Sequence, residues 1–205
     1  MLFAWLAGAR WGRGWRISSI GLAGQAQSEY LHFTNEVDRT LDVVKRAGIP
    51  VAEIDFGLPR LPEVQARIDD LLQVRGLNGC VLVAIAPDAK RSTNRWPPER
   101  FAEIGRMLAD SNRSIVLIAG GANAKLCEEL ASQMGSHAHS FAGALSLPES
   151  IELLRRCRLL ICVDSGVQHL AAAVGTLCIS LCSFWQMRGK WHPYGWRNLV
   201  LQKWV

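Results

Sequence analysis

At 205 residues the chain has room for one generous domain, or for one domain and part of another. Hydrophobic residues make up 49% and charged residues 20%, which excludes a disordered chain. The net charge of +5 comes without a dense basic stripe, which disfavours a nucleic-acid partner.

Residues 1–9 are apolar but about half the length needed to cross a bilayer, and no basic segment precedes them. They read as the end of a buried helix or strand rather than a signal peptide. Residues 36–47, with Val37, Leu41 and Val44 on one face, and 63–74 have helical spacing, and Pro50, Pro59 and Pro62 break the chain between them. No complete strand–helix–strand set precedes residue 79. Residues 1–78 are therefore expected to be the tail of an amino-terminal domain and an interdomain linker, and residues 79–205 a domain of their own.

From residue 79 the pattern alternates. Residues 80–86 and 114–119 lack polar alternation, as strands buried on both faces do. Helices are expected at 99–109, Ala124–Met134, Leu147–Arg156 and 167–174, and further strands at 137–141, 159–163 and Leu177–Cys182. Strands alternating with helices of this length imply a parallel, doubly wound α/β sheet, Rossmann-like in form. Ligands of such sheets bind beyond the carboxyl ends of the strands, which singles out the loops at 87–98, 120–123 and 164–166. No G-x-G-x-x-G follows a strand, which disfavours a dinucleotide dehydrogenase. The six cysteines show no C-x-x-C spacing and read as buried free thiols of a reducing compartment.

Residues 159–176 carry the sharpest signal. An apolar strand ends at Asp164, Ser165 and Gly166 turn, and a helix begins at once. Free N–H groups at a helix start, backed by the helix dipole, attract an anion, and Gly166 lets it approach the backbone. Ser165 adds a hydroxyl, and His169 lies about one turn along the helix. The plainer alternative is that Asp164 or Ser165 caps the helix and His169 is structural. The second signal is the polar loop at 87–98. Lys90, Arg91 and Arg95 suit a diphosphate, and Ser92, Thr93 and Asn94 can bond its oxygens. A solvated loop anchored by Trp96 explains the same composition. Past Asp164 there is no Asp or Glu, while Arg188, Lys190, Arg197 and Lys203 remain. That end suits a phosphate-bearing ligand, though a few solvated cations are the commoner meaning.

Three strings in order, N-R-W-P-P-E-R-F at 94–101, F-A-G-A-L-S-L-P-E at 141–149 and D-S-G-x-x-H-L-A-A-A-x-G-T at 164–176, resemble glycosyltransferase family 9, the ADP-heptose:lipopolysaccharide heptosyltransferases. Residues 191–194, W-H-P-Y, add to the likeness, and residues 6–10 and 38–49 extend it weakly. The resemblance implies the carboxyl-terminal half of a GT-B enzyme, with a remnant of the first domain. It implies that Asp164, Ser165, Gly166, Val167 and His169 line the diphosphate and the nearby sugar. Lys90, Asn94 and Arg95 would contact the phosphates, and Gly143, Ala144 and Leu145 the base, largely through backbone atoms. The donor would be a nucleoside diphosphate sugar such as ADP-heptose, and the acceptor a lipid-linked saccharide. Transfer would invert the anomeric carbon without a cofactor or a tightly bound metal, loop cations and helix N–H groups stabilising the leaving diphosphate.

The family's K-R-W-P string has Asn94 in place of its Lys, and residues 120–125 lack the Glu expected to meet a ribose. The family's general base belongs to the first domain, so none is assigned in this chain. A catalytically incomplete donor-binding module and a GT-B sugar-nucleotide epimerase are the competing readings. A cytoplasmic enzyme acting on a lipid-linked acceptor would work at the inner membrane, where Trp11, Arg13, Trp15 and Arg16 would serve peripheral docking. Surface or domain-interface positions are the preferred account of those four residues.

Overall fold

A computed structural model describes residues 35–51, 54–110, 112–183, 189–195 and 197–202. The sequence features at residues 1–16, Arg188 and Lys203 lie outside the described residues. Two compact units are distinguished, Met1–Asp55 with Met187–Trp191, and Phe56–Gln186 with His192–Val205. The described part of the first contains helix α1 (Glu36–Arg46). Asn35 caps it, its Oδ1 accepting from the Val37 N–H at 2.9 Å and its Nδ2 donating to the Gly189 carbonyl at 3.1 Å.

The second unit holds helix α2 (Pro62–Val74), strand β1 (Val81–Ala86), helix α3 (Pro98–Leu108), strand β2 (Arg113–Leu117), helix α4 (Ala124–Met134) and strand β3 (Ala138–Ser140). Helix α5 (Leu147–Arg156), strand β4 (Cys157–Val163), helix α6 (Gly166–Ala173), strand β5 (Leu177–Cys182) and strand β6 (Asn198–Gln202) follow. Short 3₁₀ turns form at Ser92–Asn94 and Gly121–Asn123. All strands pair in parallel, in the order β3-β2-β1-β4-β5-β6. The chain leaves β1 to one side and returns beside it as β4, so the order reverses between those two strands. At such a point the loops on either side turn away from each other and leave a crevice.

Strands β1, β2, β4 and β5 alternate their side chains between two cores. Leu82, Ala84 and Ala86 join Ile68 and Leu72 of α2, Leu153 and Leu154 of α5 and Ala171 of α6. Val83 and Ile85 face the other way, toward Phe101 of α3 and Cys127, Leu130 and Met134 of α4. Helices therefore cover both faces, which is why the strands read as unbroken apolar runs. Burial pushes the thiol of Cys127 up to about 11 and that of Cys157 to about 12, so both stay protonated.

The second unit begins at Phe56 rather than at residue 79, and α2 belongs to it. Ile68 is fully buried in the sheet's core. Arg156 reaches Asp69 at 2.8 Å, and Arg155 donates to the Leu58 carbonyl at 2.7 Å. Ser146 and Glu149 form a capping box that starts α5, with the Ser146 N–H donating to Glu149 Oε2 at 2.7 Å. Strand β6 lacks a clear sequence signal because its residues are only half-buried or exposed.

Because α2 closes one face of the sheet, Ile68→Ala should cost about 2–5 kcal/mol of unfolding free energy, the usual range for a buried Ile. Denaturant unfolding checks this, and a loss below about 1 kcal/mol, the level of an exposed position, would show that α2 stands apart from the core.

Candidate functional site

Because all strands run in parallel, the loops after β1, β2, β3, β4 and β5 gather at one edge of the sheet. Asp164 ends β4 at the point where strand order reverses, and its side chain is buried. Asn94, in the loop after β1, donates from Nδ2 to Asp164 Oδ2 at 2.7 Å, across the mouth of the crevice. Gln168, in the first turn of α6, donates from Nε2 to Asp164 Oδ1 at 2.8 Å. Neutral amides thus satisfy both carboxylate oxygens. Burial raises the Asp164 pKa, and the Gln168 hydrogen bond and the charges of His169, His192 and Arg91 oppose that rise.

The amides are themselves held from behind. The Ser183 hydroxyl donates to Asn94 Oδ1 at 2.8 Å, and the Ser180 hydroxyl donates to Gln168 Oε1. Gln202 Nε2 donates to the Ser183 carbonyl at 2.8 Å, which draws β6 into the same network. Trp96 stacks edge-on against Phe101 with centroids 5.0 Å apart, anchoring the loop after β1 to α3. Asp88 accepts from Asn123 Nδ2 at 2.6 Å and lies 3.3 Å from Arg95 Nε, tying that loop to the one after β2.

Ser165 forms no side-chain cap on α6. Its hydroxyl is buried and has no hydrogen-bond partner among the described residues. A Cβ on Gly166 would meet no atom within 4 Å, so the space before the helix start is open. A buried hydroxyl at a helix start suits an anion, and the Ser165 side chain does not cap the helix.

Val167 is half-buried against the core. His169 is exposed by surface area, yet the atoms around its ring desolvate it enough to lower its pKa. Gln168 Nε2 lies 3.4 Å from His169 Nε2, a contact that suits a neutral ring protonated on Nδ1.

The remaining sequence-derived positions are less tightly gathered. Lys90, Arg91 and Arg95 are exposed on the loop after β1. Asn94 points inward to Asp164. Gly143 and Ala144 are exposed after β3, and Leu145 packs on the core. The Gly143 and Ala144 N–H groups are engaged with the Ala119 and Phe141 carbonyls, at 3.0 and 3.1 Å, so their carbonyls are what they offer a ligand. Among the described residues, no group of three or more His, Cys, Asp or Glu could hold a metal ion, and no helix is long and apolar enough to cross a membrane.

Gln168, Ser180 and Ser183 were not singled out by the sequence. Gln168 could have been, because it stands four positions after Asp164, the spacing at which helical neighbours meet.

The profile of glycosyltransferase family 9 (heptosyltransferase) matches residues 2–201. Lipooligosaccharide heptosyltransferase 2 of Haemophilus influenzae is 27% identical over 105 residues, covering 49% of this chain and 30% of that protein. Lipopolysaccharide heptosyltransferase 3 of Escherichia coli is 28% identical over 178 residues, covering 85% of this chain and 51% of that protein. The matched segments thus span between about a third and a half of these relatives' length. The crystal structure of a family 9 glycosyl transferase from Veillonella parvula superimposes with a TM-score of 0.75 at 21% identity, covering 81% of this chain and 48% of that one. An E. coli heptosyltransferase with ADP gives a TM-score of 0.63 at 22% identity, covering 81% and 49%.

Gly143 has φ +72°, and a Cβ there would stand 2.8 Å from the Gly121 Cα, whereas a Cβ on Gly121 would find Gly143 at an ordinary 3.8 Å. Gly143→Ala should therefore cost about 1–3 kcal/mol, and Gly121→Ala less than about 1 kcal/mol. Equal losses in thermal unfolding would contradict the asymmetry.

Proposed function

The chain belongs to glycosyltransferase family 9, and from that premise we propose that it supplies the donor site of an enzyme moving a heptose-like sugar from a nucleoside diphosphate to a lipopolysaccharide-type acceptor. The observation that carries the reading is the buried Ser165 hydroxyl, without a partner among the described residues, at the start of α6 and next to an Asp164 held by Asn94 and Gln168.

In this reading the diphosphate lies at the α6 N-terminus, bonded by Ser165 and by N–H groups of the first turn, with Gly166 giving it room. Lys90, Arg91 and Arg95 stand near enough in the chain to screen its charge. As the anomeric bond breaks, negative charge builds on the departing diphosphate, and fixed donors aimed at it lower the barrier. The Gly143 and Ala144 carbonyls would favour a base with an amino group, such as adenine, over uracil. ADP is the nucleotide named with the E. coli heptosyltransferase structure. The roles assigned here are binding and leaving-group stabilisation, not deprotonation of the acceptor. The acceptor would be a lipid-linked saccharide at the cytoplasmic face of the inner membrane.

Calorimetric titration with ADP, UDP and GDP tests the reading. ADP should bind best, and the Asp164→Ala, His169→Ala double variant should bind it about tenfold or more weakly, the scale of losing a hydrogen bond to a charged group. A folded wild-type chain that binds none of the three, or a variant that binds as well as wild type, would overturn it.

A further inference from the structure

We propose that Gln168 is a positioning residue, which with Ser180 behind it holds Asp164 as a fixed, ionised acceptor and aligns His169 beside it. The inference rests on the reading of Asp164 and His169 as donor-site residues, but the clamp itself is a property of the free protein.

Gln168 is fully buried in a helix whose other first-turn residues are exposed or half-buried. A buried amide needs its oxygen and both hydrogens satisfied, or it costs more than an apolar side chain of the same size. Its oxygen accepts from Ser180, a hydroxyl fully buried on β5. The carboxylate fixes which way the amide faces, because a flipped amide would set its oxygen against Asp164, and the Ser180 hydroxyl then donates to the oxygen on the far side. The NH₂ must then point at Asp164 Oδ1, 2.8 Å away, with His169 Nε2 at 3.4 Å. One side chain thereby contacts both Asp164 and His169.

Asn94 repeats the device from the opposite wall, with the Ser183 hydroxyl on its oxygen and its NH₂ on Asp164 Oδ2. Both clamps are neutral. They hold the carboxylate ionised without cancelling its charge, which an Arg or Lys in their place would do. Four charged or titratable groups also face Asp164. They are His169 on α6, Arg91 in the loop after β1 and His192 ahead of β6, with the Cys182 thiol at the end of β5.

The test is an NMR titration of the Asp164 carboxyl carbon in the full chain, without nucleotide, for wild type, Gln168→Met and Ser180→Ala. Met is close to Gln in size and removes both donors, while Ser180→Ala leaves Gln168 in place and removes the donor that braces its oxygen. The Asp164 midpoint should rise by about one unit in Gln168→Met and by roughly half a unit in Ser180→Ala. A residue that only fills space would leave the midpoint where it is. A midpoint unmoved in the folded variants overturns the proposal, and Ser180→Ala alone decides it if Gln168→Met does not fold. Because no ligand is present, this result is separate from the donor-site reading, which fails instead if wild type binds no nucleotide.

Discussion

A carboxylate buried where a parallel sheet changes direction must be given hydrogen bonds from both sides, and the arrangement of this unit follows from how Asp164 receives them. The desolvation of an isolated carboxylate would drive it to take up a proton. Here Asn94 reaches it from the loop after β1 and Gln168 from α6, and each is held by a serine on the β5 side. Three stretches of the chain, around residues 94, 164–168 and 180–183, therefore converge on one group. The short 3₁₀ turn at Ser92–Asn94 is what brings Asn94 inward.

That convergence depends on the sheet. With β1 and β4 as central neighbours and two cores packed on opposite faces, the loops after these strands have fixed starting points. Trp96 on Phe101, and Asp88 on Asn123, then hold the loop after β1 against α3 and the loop after β2. At the start of α6 a Cβ on Gly166 would meet no atom within 4 Å, and beside it the Ser165 hydroxyl is left without a partner among the described residues. The family match over residues 2–201 and the TM-score of 0.75 to a family 9 structure agree with the architecture, at identities that speak to fold and family rather than to a particular sugar.

Much of the fold was legible because strands covered on both faces are unbroken apolar runs, and the helices between them carry clear caps or prolines. Ala124–Met134, Leu147–Arg156 and Leu177–Cys182 match their sequence bounds. Helix α2 was harder to assign. Its flanking Pro59 and Pro62 suggest a linker, and only tertiary packing of Ile68 and Leu72 reveals it as a wall of the sheet's core. Strand β6 is exposed at the sheet edge and lacks the pattern that marks its neighbours. At the site, the strand–turn–helix around Asp164 and Ser165 was visible because local geometry dictates it. The turning inward of Asn94 and the burial of Gln168 were not, because a polar side chain on a loop or helix reads as solvent-facing until its partners are known.

The central claim is that a nucleoside diphosphate occupies the crevice between the loop after β1 and the start of α6. Backbone amide NMR of the full chain with and without ADP tests it most directly. The account predicts that the largest shift changes fall on residues 164–169, with smaller ones at 90–95 and 143–145. Changes that miss residues 164–169 and gather instead on the α2 and α5 side of the sheet would contradict it.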